Sequence, residues 1–65
     1  MKNEKKFPER LIELRGKKTQ REVAGDIGVS VGAYAMYELG ERTPRDEVKI
    51  RLAEYFGKTV QEIFF

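Results

Sequence analysis

Few residues of this chain could take part in catalysis. Glu9 and Glu13 stand four residues apart, a spacing that places two carboxylates on one face of a helix and that acid–base chemistry could use. No residue near them could serve as a nucleophile, metal ligand or orienting group, and the 65-residue sequence has no cysteine and no histidine. A glycine-rich phosphate loop is missing too. We therefore interpret both glutamates as solvent-facing and expect no enzyme activity, metal, cofactor or small-molecule ligand.

The basic residues are unevenly distributed along the chain. The formal net charge is only +2, but eight of the 13 Lys and Arg residues fall between Lys2 and Arg21. Such a cluster fits the phosphate backbone of a nucleic acid, but charge alone favours the other interpretation, a solvated helix surface. Residues 1–6 are polar without apolar periodicity, which predicts a flexible basic N-terminal arm ahead of one domain spanning residues 7–65.

Proline, capping residues and glycine predict the first three helices. Pro8 suits the first turn of a helix that Gly16 ends. A capping box at Thr19 to Glu22 opens a second helix, which runs to about Ile27 and ends at Gly28. Ser30 caps a third, which Gly40 stops. Leu11, Ile12 and Leu14 are expected to form the apolar stripe of the first helix, and Tyr34 and Tyr37 to point into the core.

Two more helices follow. Thr43 and Pro44 are the predicted cap and first turn of the fourth, whose apolar face ends before Gly57. A second capping box, Thr59 to Glu62, opens a short fifth helix. Five helices joined by tight turns leave no room for a strand, so the sequence predicts an all-α domain. Ala24, Gly28 and Val29 suit a close crossing of the second helix by the third, as in a helix-turn-helix.

A longer pattern runs through the second and third helices. Its residues are Thr19-Gln20-xx-Val23-Ala24-xxx-Gly28-Val29-Ser30, then Tyr34 and Tyr37-Glu38-x-Gly40-x-Arg42-x-Pro44. The pattern resembles the Cro and repressor-type helix-turn-helix family, also called the XRE family. Leu52-Ala53-xx-Phe56 and Val60-xx-Ile63-Phe64 resemble the two helices that complete the family's compact, five-helix, lambda-repressor-like fold. The resemblance implies binding to double-stranded DNA.

The resemblance also implies roles for individual residues, with the N-terminus of the second helix on a phosphate and the third helix in the major groove. The residues expected on phosphates are Gln20, Ser30, Arg42, Thr43 and Arg45, joined by Lys17, Lys18 and Arg21 around the second helix. The residues expected along base edges are Val31, Gly32, Ala33, Ala35 and Met36. Arg15 and Glu38 match an ion pair that joins the first helix to the third.

The outer face of the third helix departs from the family because it lacks the Arg, Asn and Gln side chains that read bases by paired hydrogen bonds.

We predict a cytoplasmic, sequence-selective transcriptional regulator of bacterial or phage type, a repressor or an activator. A homodimer on operator DNA and a monomer in solution both fit the sequence. The alternative is a protein-interaction module, an anti-repressor or adaptor, that uses the apolar face of the third helix and the C-terminal Ile63-Phe64-Phe65.

Overall fold

The computed structural model of the chain describes residues 6–65 and contains five helices in that range. These are α1 (Phe7–Arg15), α2 (Gln20–Ile27), α3 (Val31–Leu39), α4 (Asp46–Phe56) and α5 (Val60–Phe64). No strand occurs in the described residues, which confirms the all-α prediction. The predicted N-terminal arm lies outside the described residues, apart from Lys6.

Both predicted capping boxes are present. At the start of α2, the Thr19 hydroxyl accepts a hydrogen bond from the Glu22 N–H at 3.0 Å, and the Glu22 carboxylate accepts one from the Thr19 N–H at 2.8 Å. Thr59 and Glu62 make the same two bonds at the same distances before α5. These reciprocal bonds satisfy N–H groups that would otherwise lack partners, so the two helix starts are set by local sequence.

The start of α4 was predicted wrongly. The N-cap is Arg45, whose carbonyl accepts a hydrogen bond from the Val48 N–H at 3.0 Å, and the helix begins at Asp46. Thr43 and Pro44 belong to the preceding loop, in which Pro44 is buried. Burial of the proline ring in the loop, together with an acidic first turn that suits the positive end of the helix dipole, outweighs the general preference of proline for the first helical position.

The core is built from one face of every helix. Tyr34 and Tyr37 are buried as predicted, and their rings meet edge to face with centroids 6.3 Å apart. Ile12 is an exception, because its side chain is exposed although the sequence placed it in the apolar stripe of α1. The other buried apolar residues are Phe7, Leu11, Val23, Ala24, Ile27, Val48, Leu52, Ala53 and Ile63.

The turn between α2 and α3 depends on a left-handed residue. Gly28 has φ +78°, a conformation in which a side chain would be strained, and the Val29 N–H donates back to the Ala24 carbonyl at 3.0 Å. Ala24 is almost fully buried at this point. Three residues, 28–30, therefore redirect the chain from α2 into α3, as the helix-turn-helix pattern predicts.

Candidate nucleic-acid interface

The N-terminus of α2 lies beside a buried carboxylate. Glu38, on α3, accepts hydrogen bonds from Arg15 Nε at 2.7 Å and from Arg15 Nη2 at 3.1 Å, so the ion pair implied by the resemblance is present and bidentate. Gln20 Nε2 donates to the same carboxylate at 2.8 Å. Arg15 Nη1 also donates to the Lys18 carbonyl at 2.7 Å. One guanidinium thus joins α1 to α3 and to the segment that leads into α2.

The charges of this cluster are stable at neutral pH. Burial acts to raise the pKa of Glu38, but the hydrogen bonds from Arg15 and Gln20 outweigh it and hold the pKa below its ordinary value. The hydrogen bond to Glu38 likewise raises the pKa of Arg15. The Tyr34 hydroxyl is buried beside this carboxylate without a well-formed hydrogen bond to any described residue, and burial raises its pKa. Glu38 therefore stays ionised and can act only as an acceptor.

Gln20 is held in one orientation by this carboxylate. A carboxylate cannot donate, so it fixes the amide with Nε2 toward Glu38. The second hydrogen on Nε2 is left for another acceptor. The first turn of α2 also directs backbone N–H groups outward, which is the arrangement that binds anions at helix ends. The predicted phosphate contact of Gln20 thus requires the amide to serve Glu38 and the phosphate at once.

The other residues expected on phosphates around α2 are accessible. Lys17, Lys18 and Arg21 are exposed, and Lys18 Nζ lies 5.9 Å from the centroid of the Tyr55 ring. Ser30 is also exposed, and its hydroxyl oxygen accepts the Ala33 N–H at 3.0 Å as the cap of α3. Its hydroxyl hydrogen can still be donated.

The outer face of α3 is apolar in the structure. Val31, Gly32 and Met36 are exposed, whereas Ala35 is half-buried and Ala33 packs partly against the core. The five residues expected along base edges are therefore not equivalent. Leu39 is 70% exposed at the end of the same helix and was not singled out from the sequence. The sequence could have indicated Leu39, because it is an apolar residue that does not continue the three-residue spacing of the core residues Tyr34 and Tyr37.

The loop between α3 and α4 contributes a groove beside the N-terminal half of α3. Arg42, Thr43 and Arg45 are exposed there, and Arg51 on α4 lines the groove with them. Arg51 Nη1 donates to the Ile27 carbonyl at 3.3 Å, at the end of α2. Because Arg51 and Ile27 are distant in the sequence, only the folded chain reveals Arg51 as a member of this group. We call the groove that Arg42, Thr43, Arg45 and Arg51 line the arginine groove.

The geometry combines a short helix with an exposed outer face, a neighbouring helix end that offers N–H donors, and cationic side chains around both. This is the arrangement of a helix-turn-helix domain. Residues 10–63 match the family model described as "Helix-turn-helix", and the chain belongs to that family, in its Cro/repressor-type or XRE branch.

Two curated relatives carry the name "Cryptic phage CTXphi transcriptional repressor RstR". The protein from Vibrio cholerae is 34% identical over 59 residues, covering 88% of this chain and 53% of the relative. The protein from Vibrio cholerae serotype O1 (strain ATCC 39315 / El Tor Inaba N16961) is 35% identical over 60 residues, covering 89% and 54%. The chain thus spans about half the length of the curated relatives it matches. No solved structure matches the chain.

Residues 6–65 contain no group of three or more His, Cys, Asp or Glu side chains that could hold a metal ion. In the same residues, none of the helices has the length and apolar character needed to cross a membrane.

Proposed function

We propose that this chain binds double-stranded DNA sequence-selectively and regulates transcription, with α3 in the major groove and the N-terminus of α2 on a phosphate. The observation that carries the proposal is the site itself: α3 has an exposed outer face, with Lys17, Lys18 and Arg21 around the start of α2 on one side and the arginine groove on another. Membership of the helix-turn-helix family and relatives named transcriptional repressors support the same function.

Phosphate contacts are expected to dominate the affinity. A dimer that neutralises about six to ten phosphates should lose roughly three to five decades of affinity when salt rises from about 50 to about 200 mM. The function is tested by selecting from a pool of random duplex DNA at fixed salt and titrating the selected duplex with salt. Absence of an enriched motif, together with salt-insensitive binding, would contradict the proposal and favour a protein partner.

Two substitutions separate the proposed roles of α2 and α3. Gln20→Ala removes a phosphate contact and should weaken binding to all sequences by a similar factor. Met36→Ala removes a side chain from the outer face of α3 and should change the preference among sequences. Both are measured by fluorescence anisotropy on the selected duplex and on a scrambled duplex. A Gln20→Ala variant that discriminates less between the duplexes while Met36→Ala does not would reverse the assignment.

We also propose that two copies bind an operator with two-fold symmetry, with half-sites about 34 Å apart or a multiple of that spacing. Ile50 on α4 and Phe65 at the end of the described chain are exposed apolar side chains that line one groove, where a second copy could pack. Sedimentation of the protein alone and with a two-site duplex tests this. A complex that never exceeds one copy per duplex would contradict it.

A further inference from the structure

A second groove lies between the start of α1, the middle of α4 and the end of the chain. Its volume is about 510 Å³, and its charged lining consists of Lys6, Arg10 and Lys49. Three cationic side chains converge there, and among residues 6–65 no acidic side chain lines the same groove. We call Lys6, Arg10 and Lys49 the lysine groove.

Two of these cations are held in place by groups that do not neutralise them. Lys49 Nζ lies 5.6 Å from the ring centroid of Phe64 and 5.4 Å from that of Phe65. Ring faces attract an ammonium ion but carry no net charge. Arg10 Nη1 donates to the backbone carbonyls of Glu62 and Ile63 at 3.1 and 3.0 Å. Within residues 6–65, no carboxylate lies within 4.0 Å of any cation of this groove.

The lysine groove continues into the arginine groove. Thr43 lines both, so the two cationic surfaces meet at this residue. On the far side of Thr43 stand Arg42, Arg45 and Arg51, and among the described residues Glu47 is the one acidic side chain that lines the arginine groove. Among residues 6–65, the joined surface therefore carries six cationic side chains and one acidic side chain, although the chain as a whole has a net charge of only +2.

We propose that Lys6, Arg10 and Lys49 form a second binding surface for the phosphate backbone of duplex DNA, continuous across Thr43 with the arginine groove. The proposal rests on the proposed function, because it extends the same DNA contact beyond the residues that the helix-turn-helix pattern identifies. A duplex suits this surface because it presents a row of anionic phosphates along a continuous path. Arg10 and Lys49 are already held by their neighbours, so these two cations lose little side-chain freedom when they meet such a row.

An acidic peptide fits the lysine groove less well. A peptide needs an apolar anchor besides charge. The Phe64 ring already packs against Phe7, with centroids 5.3 Å apart, and it shares Lys49 with Phe65. Among residues 6–65, Phe65 is thus the one exposed aromatic side chain in the groove, and a single exposed ring offers a peptide little apolar anchorage beside three cations.

The test measures the slope of log affinity against log salt for the selected duplex, about three helical turns long, by fluorescence anisotropy. The slope is negative, and each phosphate contact that is lost should reduce its magnitude by about 0.9. Lys6→Gln/Lys49→Gln should therefore reduce the magnitude by about 1.8 per protein copy. Lys49→Arg keeps both the charge and the attraction to the rings, and should keep the wild-type slope. Lys58→Gln is the matched control, because Lys58 is a lysine that lines neither the lysine groove nor the arginine groove.

The outcomes separate this inference from the proposed function. If the wild-type protein shows no salt-dependent binding to DNA, the proposed function fails and the inference fails with it. If the wild-type protein binds and the double variant has the same slope while remaining folded by circular dichroism, only the inference is overturned. An unchanged slope combined with lost binding to a poly-glutamate peptide would likewise overturn it, and would assign the groove to an acidic partner.

Discussion

Loss of Arg15 should destabilise the domain strongly, because it would leave Glu38 as a buried, unpaired carboxylate. The side chain of Glu38 is only 4% exposed, and Arg15 supplies two of the three hydrogen bonds that it accepts. Breaking a buried pair costs about 3 to 5 kcal/mol. Since Gln20 still donates to Glu38 and the Arg15 side chain is 20% exposed, we expect the lower end, about 3 kcal/mol, for Arg15→Met.

That loss is large for a chain of this size. A 65-residue domain is expected to have a free energy of unfolding of roughly 3 to 10 kcal/mol. A loss of about 3 kcal/mol corresponds to a fall in melting temperature of about 20 °C. Thermal unfolding followed by circular dichroism measures both quantities. Arg21→Met is the matched control, because Arg21 is exposed on α2, and it should change the stability by less than about 0.5 kcal/mol.

The double variant Arg15→Met/Glu38→Met decides whether the buried charge is the cause. Replacing both partners removes the unpaired carboxylate together with the pair, so the double variant should be more stable than Arg15→Met alone. The costs of Arg15→Met and of Glu38→Met, measured separately, should therefore sum to at least about 1 kcal/mol more than the cost of the double variant. If the two costs add to within about 0.5 kcal/mol, the destabilisation comes from lost packing and the reasoning about the charge is refuted.

Three further predictions concern the helices and the pH dependence. A Cβ at Gly25 or at Gly32 would meet nothing within 4 Å, so Gly25→Ala and Gly32→Ala should each raise the free energy of unfolding by about 0.5 to 1 kcal/mol. On the proposed function only Gly32→Ala should weaken binding to the selected duplex, and equal DNA affinities for the two variants would contradict close approach at Gly32. Thr19→Ala should cost about 1 kcal/mol in thermal unfolding because it removes the α2 capping bond, whereas Thr19→Ser should keep most of it. The folded-state pKa of Glu38 lies below its ordinary value of 4.5. The contribution of Glu38 to stability is therefore complete above pH 4.5 and is lost as the pH falls through the lower folded-state pKa. Below pH 4.5, the stability of Arg15→Met/Glu38→Met should depend less on pH than that of the wild-type protein, as acid unfolding measures.

Local features of the fold could be predicted from the sequence. Both capping boxes join residues three positions apart, so the residue types alone specify the hydrogen bonds. Gly28 ends α2 because a left-handed residue is needed there. The start of α4 was predicted wrongly for a different reason. The burial of Pro44 is decided by the tertiary packing of the loop, and helix-start statistics contain no information about that packing.

The contacts of the candidate site were harder to predict because they are long-range. The Arg15–Glu38 pair was expected only through the family resemblance. The bond from Gln20 to Glu38 crosses 18 residues of sequence, and Arg51 reaches Ile27 across 24. Such partners are set by how the helices pack, which neither spacing nor residue type specifies. The sequence could therefore predict the capped start of α2, but not that a buried carboxylate holds its glutamine amide.

The composition of α3 and the distribution of charge around it bear on how bases would be read. Val31 and Met36 are exposed on α3 but carry no donors or acceptors for paired hydrogen bonds with guanine or adenine. Apolar side chains can still contact the methyl group of thymine, and cations placed on the backbone can favour sequences that deform easily. The cationic side chains of the two grooves lie on the loop between α3 and α4, on α4 and at the start of α1, and none of them lies on α3. On the proposed function, selectivity would thus come from thymine methyl contacts and from the shape of the duplex held by the two grooves.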